Sequence, residues 1–249
     1  TPNGWRMESH GVLPSGVEIA PVVVGLGAAL VLPTFGLRSA PVLQQGAIRV
    51  RGPIDNLKMI GLAMHNYHDT HRALPAAASV NKQGKALLSW RVHLLPYLDQ
   101  GPLYQQFHLE EPWDSEHNKT LIDRIPPSFI STDSPALAKQ GKTRFVVPRG
   151  KGTTFDGDGK TEGAIPLGTA FREIRDGLSN TLMVVEAHPD AAVIWTKPDD
   201  LVIDFKNPLK NLTGNQNNVF NVALVDGSTR PISETINADI LKALFTKDG

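Results

Sequence analysis

Cysteine is missing from the whole of this 249-residue chain. Its absence excludes disulfides, zinc–thiolate centres and thiol catalysis. Net charge is missing too, since 25 Lys plus Arg stand against 25 Asp plus Glu. Without a basic excess, nothing points to nucleic acid, which attracts a basic face. Balanced charge also means weak self-repulsion, which permits copies of the chain to associate. Catalytic signatures are missing as well. Ser89, Ser115, Ser179 and Ser228 lack the G-x-S-x-G turn of serine hydrolases. No G-x-x-x-x-G-K-S/T phosphate loop occurs. The adjacent carboxylates Glu110-Glu111 and Asp199-Asp200 read as solvated faces or caps rather than an acid and a base. The chain is therefore read as a non-enzyme without an obligatory cofactor.

Charge is also missing locally, from Ile19 to Leu37, which read IAPVVVGLGAALVLPTFGL. A membrane-spanning helix needs about 20 apolar residues, so the length is borderline. Pro21, Pro33, Gly25, Gly27 and Gly36 weaken it as a free helix in water. Small residues instead allow close helix packing. Three readings stay open: a membrane anchor before assembly, a buried helix in a filament core, or a β-rich segment of a soluble domain. For the first two, Val22, Val23, Val24, Leu26, Leu30, Leu32 and Phe35 are the contact residues. Glu18, at the head of the run, would favour a helix N-terminal dipole or a neighbour's cation. The chain divides accordingly into a polar arm (1–16), an apolar assembly or anchor segment with its hinge (17–53) and a domain (54–249). The first residue is Thr1, so either a precursor is processed or the sequence is part of a longer product.

Gly and Pro are plentiful, at 22 and 19, and predict many turns and short elements. After Gly52-Pro53, the residues Ile54, Leu57, Ile60, Gly61, Met64 and Tyr67 recur at helical spacing. This predicts a helix over 54–71 with Asp55, Lys58, His65 and Asp69 on its other side. Ser89 is expected to cap a short helix ended by Pro96, and Leu103–Phe107 another helical turn. Asp114 or Ser115 is expected to cap a helix toward Ile122. Short β-rich runs follow at 129–131, 144–147, 181–186, 192–195, 218–225 and 229–232. The last two are expected to meet across Asp226-Gly227-Ser228. A closing helix starts at Asn237 or Asp239. Helices first and strands after give an α+β domain.

Two clusters carry candidate metal chemistry. His65, His68, Asp69 and His71 form HNYHDTH. Three ligands from one helical turn make a poor cage, and the spacing is not H-E-x-x-H, so a hydrogen-bonded helix end is the favoured reading. Asp156, Asp158 and Glu162 stand at positions 1, 3 and 7 of a glycine-rich loop, a pattern suited to calcium. Lys160 at position 5 opposes that, and a solvated acidic turn is the competing reading. Trp90, Trp113 and Trp195 could stack on sugars, although burial is the commoner fate of such residues.

The segments NLKMIGLAMHNYHDTH (56–71), LPAA (74–77), SWRVHLLPYLDQ (89–100), LYQQF (103–107), EPWDSEHN (111–118), IRDGLSNTLMVVEA (174–187), WTKPDDL (195–201) and VALVDGSTRPI (222–232) together resemble the DUF1559 family, a planctomycete-type group. Many of its members carry a type IV pilin-like N-terminus. The resemblance implies a pilin-like fold: an N-terminal helix on an antiparallel sheet, with several short helices and long loops. It also implies an extracellular or cell-envelope subunit whose partners are copies of itself, with a membrane as partner before assembly. Two departures stand out. Gly16-Val17-Glu18 puts Glu earlier than a pilin-like processing signature does. Gln216 occupies the His position of the family's His-x9-Asp-Gly signature.

Overall fold

A computed structural model describes residues 52–157 and 159–248. The arm, the apolar run with Glu18, Val22, Val23, Val24, Leu26, Leu30, Leu32 and Phe35, and Asp158 lie outside the described residues.

Helix α1 runs Pro53–His71, with Pro at its first position and Arg72 closing it in the left-handed conformation. Proline fits there because the first N–H groups of a helix have no intrahelical partner. Its buried face comprises Asn56, Leu57, Ile60, Gly61, Ala63, Met64 and Tyr67. Strands β1 (Ala78–Val80) and β2 (Ala86–Ser89) form a hairpin. Helix α2 (Trp90–His93) follows, with Ser89 accepting from the Arg91 N–H as expected. Pro96 falls inside a 3₁₀ turn, Leu95–Leu98, and α3 covers Gly101–Tyr104. The expected helix toward Ile122 is only a 3₁₀ turn, Asn118–Leu121, with Ser115 Oγ accepting from the Asn118 N–H. Its first residue is drawn away. Asn118 is buried, its Nδ2 donates to the carbonyls of His108, Glu111 and Pro112, and its Oδ1 accepts the His108 N–H.

The run at 129–131 is not a strand. Pro127–Phe129 form a 3₁₀ turn instead, because Pro127 fixes the dihedral that starts one. Then come α4 (Pro135–Ala138), β3 (Lys142–Thr143), β4 (Phe145–Val146), β5 (Pro148–Arg149), β6 (Lys160–Glu162), β7 (Ile165–Leu167), β8 (Leu182–Glu186), β9 (Val193–Ile194), β10 (Leu201–Val202), β11 (Val219–Leu224), β12 (Thr229–Ser233) and α5 (Ala238–Phe245). Asn237 caps α5 through its side-chain oxygen.

The main sheet is antiparallel, in the order β12-β11-β8-β4. Every residue of β8 is buried, as a central strand covered on both faces requires. Two apolar clusters result. Met183, Val184, Ala223 and Val225 join α1, Trp90, Phe129 and Trp195. Leu182, Val185, Phe220, Val222 and Leu224 join Leu241 and Phe245 of α5. The fold is α+β: an N-terminal helix on an antiparallel sheet, with short helices and loops.

Two ion-pair networks lie in this interior. Arg91 and Asp200 have fully buried side chains and pair at 2.6 Å. Asp200 Oδ1 also accepts from Trp90 Nε1 and the Val147 N–H. Burial pushes the Asp200 carboxyl up, against the pull of Arg91. Asp200 is thus no solvated face; it ties α2 to the segment before β5. Arg144 similarly binds Asp133 at 2.7 Å, lies 3.2 Å from Glu186 and donates to Asn215.

Candidate functional site

The C-terminal end of α1 opens on a cleft of about 530 Å³. Four chain segments build its walls, and each is held by specific bonds. Residues 72–77 leave α1 and run beside 166–169: Leu74 N–H donates to Thr169 O, Gly168 N–H to Leu74 O, and Ala76 N–H to Pro166 O. The Tyr67 hydroxyl reaches from α1 to Pro166 O at 2.8 Å. The stretch around Thr154 is tied on by the Thr169 hydroxyl, which donates to Thr154 O at 2.6 Å. Gly159 allows that approach. It has φ +64°, and a Cβ there would stand 2.4 Å from Leu167 O and 2.5 Å from the Ala76 side chain. Past α5, Lys247 N–H donates to Gly152 O while Lys247 O accepts from Arg175, and this brings Lys247 into the cleft lining.

The lining is small in its floor and charged in its rim. Ala73, Ala76, Ala77, Gly168 and Ala170 make no bulky obstruction. Arg72, Lys160, Arg172 and Lys247 contribute four cations against the carboxylates of Asp156 and Glu173. None of the four cations forms an ion pair with another described residue. Thr154, in the wall, is 1 % exposed, and its hydroxyl has no hydrogen-bond partner among the described groups.

The histidines of HNYHDTH are committed to packing. His65 Nε2 bonds Val225 O at 2.8 Å, with its Nε2 bearing the proton that the carbonyl accepts. His68 stacks on Phe171 with ring centroids 3.6 Å apart and accepts the Phe171 N–H. His71 Nε2 meets the Tyr97 hydroxyl at 3.1 Å. Burial lowers the affinity of His68 and His71 for a proton. The three rings therefore point to three different partners, as the hydrogen-bonded helix end predicts. His65 differs from its expected place on the outer side: it is half-buried over the β11–β12 turn.

Asp156 and Glu162 are both exposed but differently placed. The Asp156 carboxylate accepts the Gly152 N–H and lines the cleft. Glu162 belongs to β6, opposite Ile165, and is not part of the cleft lining. Among the described residues, no group of three His, Asp or Glu side chains is arranged to hold a metal. Trp90 and Trp195 are core residues, and Trp113 is half-buried beneath Lys197.

The family described as "Protein of unknown function (DUF1559)" matches residues 54–218, from the first turn of α1 to the residue before β11. The chain belongs to the DUF1559 family. No curated protein and no solved structure matches it. Within the DUF1559 match, the resembling segments now have physical roles. SWRVH and PDDL supply the Arg91–Asp200 pair, EPWDSEHN ends in the Asn118 knot, and VVEA supplies Glu186 to the Arg144 network. The cleft's cations were not legible beforehand, because Arg72, Lys160, Arg172 and Lys247 come from four distant stretches of chain. LPAA was the nearest signal, since only small side chains can line a backbone-to-backbone seam.

Proposed function

We propose that this DUF1559 chain is a structural, non-enzymatic, pilin-like subunit of an extracellular filament or cell-envelope assembly, joined to its copies through the apolar run. The observation that carries this reading is the charge-free stretch Ile19–Leu37 placed shortly before an N-terminal helix packed on an antiparallel sheet. The domain surface adds support. Its large exposed apolar side chains, Leu62, Ile165, Val202 and Ile240, stand on four different elements, so self-association is assigned to the run instead. Among the described residues no helix is long and apolar enough to cross a membrane. Burial of a few hundred Å² of apolar surface at ~25 cal/mol per Å² supplies several kcal/mol per contact, before association costs. Head-to-tail contacts that do not close generate fibres. Sedimentation velocity of the full chain and of a variant lacking residues 17–37 tests this. The full chain should sediment as polymers that grow with concentration, and the deleted chain as a folded monomer. Equal polymerisation of both would refute the reading.

The cleft favours a second reading: an envelope-anchored, monomeric binding module for a glycan; its calcium form, through Asp156, Asp158 and Glu162, draws no support from the cleft, because Glu162 lies outside the lining. The cleft's volume lies in the range of small-molecule sites. A full chain that stays monomeric at high concentration supports this reading over the first.

A further inference from the structure

We infer that the cleft at the end of α1 recognises an acidic sugar, one carrying sulfate, phosphate or carboxylate on a mono- or disaccharide-sized body. This inference deepens the binding-module reading and rests on it.

Charge is the first argument. Arg72, Lys160, Arg172 and Lys247 converge on one opening from four separate stretches of chain. Some cations elsewhere are paired with carboxylates, Arg91 with Asp200, Arg144 with Asp133 and Glu186, Lys58 with Asp55, Lys197 with Asp199 and Lys242 with Asp239, while single surface lysines such as Lys139 and Lys206 are not; the cleft differs in gathering four cations at one opening. The cleft's four have no such partner among the described residues, and one of the two described carboxylates of its lining, Asp156, already accepts a backbone N–H. Planar guanidinium groups suit oxyanions because they donate two parallel hydrogen bonds.

Shape and polarity give the second argument. A bare sulfate would leave most of about 530 Å³ unfilled, whereas a sugar residue or two would occupy it. Ala73, Ala76, Ala77 and Ala170 line the cleft without bulk and leave its volume open to a pyranose ring. Arg172 and Lys247 also line an adjoining cleft of about 420 Å³ together with Arg175, Glu173 and Asp248, so the two cations stand between two openings. The carbonyls ending α1 disfavour an anion beside His71. That places the oxyanion on the Arg172–Lys247 side and the sugar body over the alanines.

Isothermal titration of the full chain with a sulfated disaccharide, with lactose as the neutral counterpart and with sodium sulfate tests this. The sulfated disaccharide should bind more tightly than either control and weaken as salt rises. The double variant Lys160→Gln, Arg172→Gln should bind it about tenfold more weakly, a loss of about 1.4 kcal/mol. Both positions are exposed, so folding should persist. A control pair outside the cleft, Lys139→Gln with Lys206→Gln, should bind as the parent does. Equal binding of lactose would overturn the acidic-sugar assignment while leaving the binding-module reading intact. Sulfate binding as tightly as the disaccharide would overturn the sugar part, and the double variant binding normally would overturn the site. Absence of binding by all three probes would overturn the inference and remove the support for the module reading.

Discussion

His93 lies at the end of α2, 3 % exposed, with Tyr104 edge-on at 6.4 Å and its Nε2 unpaired. Burial first, and His71 second, hold its pKa down to about 3. The folded protein therefore keeps this imidazole neutral while the unfolded chain takes up a proton near the ordinary histidine value of about 6.5. Stability from this residue is present above that value and is lost as pH falls toward the folded pKa. Each pH unit in the window costs about 1.4 kcal/mol. Replacing His93 with Phe keeps a ring in the space but removes the titration. Urea unfolding at about pH 7 and about pH 5 should show the parent losing about 2 kcal/mol more than the variant. Parallel pH profiles would contradict the assignment. Asp133 acts in the same direction. Burial would raise its carboxyl, but the hydrogen bonds and charge of Arg144 outweigh burial and hold it below the usual range. Its contribution is thus present above the ordinary carboxylate range and lost as pH falls through the folded value.

At the scale of elements, α1 meets the sheet through two glycines. A Cβ on Gly61 would stand 3.7 Å from the Cα and carbonyl oxygen of Gly227, and one on Gly227 would stand 3.4 Å from His65 Nε2. Gly227 is at φ +83°, where glycine is at ease. Gly61 itself is helical and has ordinary contact room for one methyl. Gly61→Ala should therefore stabilise by about 0.5–1 kcal/mol through helix propensity. Gly61→Leu should destabilise by about 1–3 kcal/mol, because the longer side chain would push α1 off the β11–β12 turn. Urea midpoints of both variants check this; a tolerated Leu would mean that helix and turn are not in contact. The same elements mark what the sequence could reveal. Helix α1, the Ser89 and Asn237 caps and the turn at Asp226-Gly227-Ser228 were legible because periodicity and capping are local properties. The β1–β2 hairpin, the β6–β7 hairpin within the glycine-rich stretch, and the parallel pairing of β10 with β5 were not. Their strands are two to four residues long, too short for alternation to register. The pairing of Arg91 with Asp200 spans 109 positions, so two adjacent acidic residues looked like a solvated face.

The whole molecule combines a domain with two covered sheet faces and a preceding run that carries no charge. Fold class was recoverable from the order of helical and β-rich stretches, because layers follow from which elements must bury a face. The cleft was not, because it exists only where four loops meet. In the proposed assembly, the domain's stability and its cleft are independent of the contacts between copies, so variants at Gly61 or His93 should alter unfolding without dissolving polymers. The central claim concerns the apolar run, and a cross-linking measurement reaches it most directly. A photoreactive group placed at Leu26, in a mixture of isotope-labelled and unlabelled copies, reports which residues that position touches in the assembled material. Links joining Leu26 to residues 17–37 of a differently labelled copy are the predicted result. Links made wholly within one chain, to residues 53–248, would contradict the account.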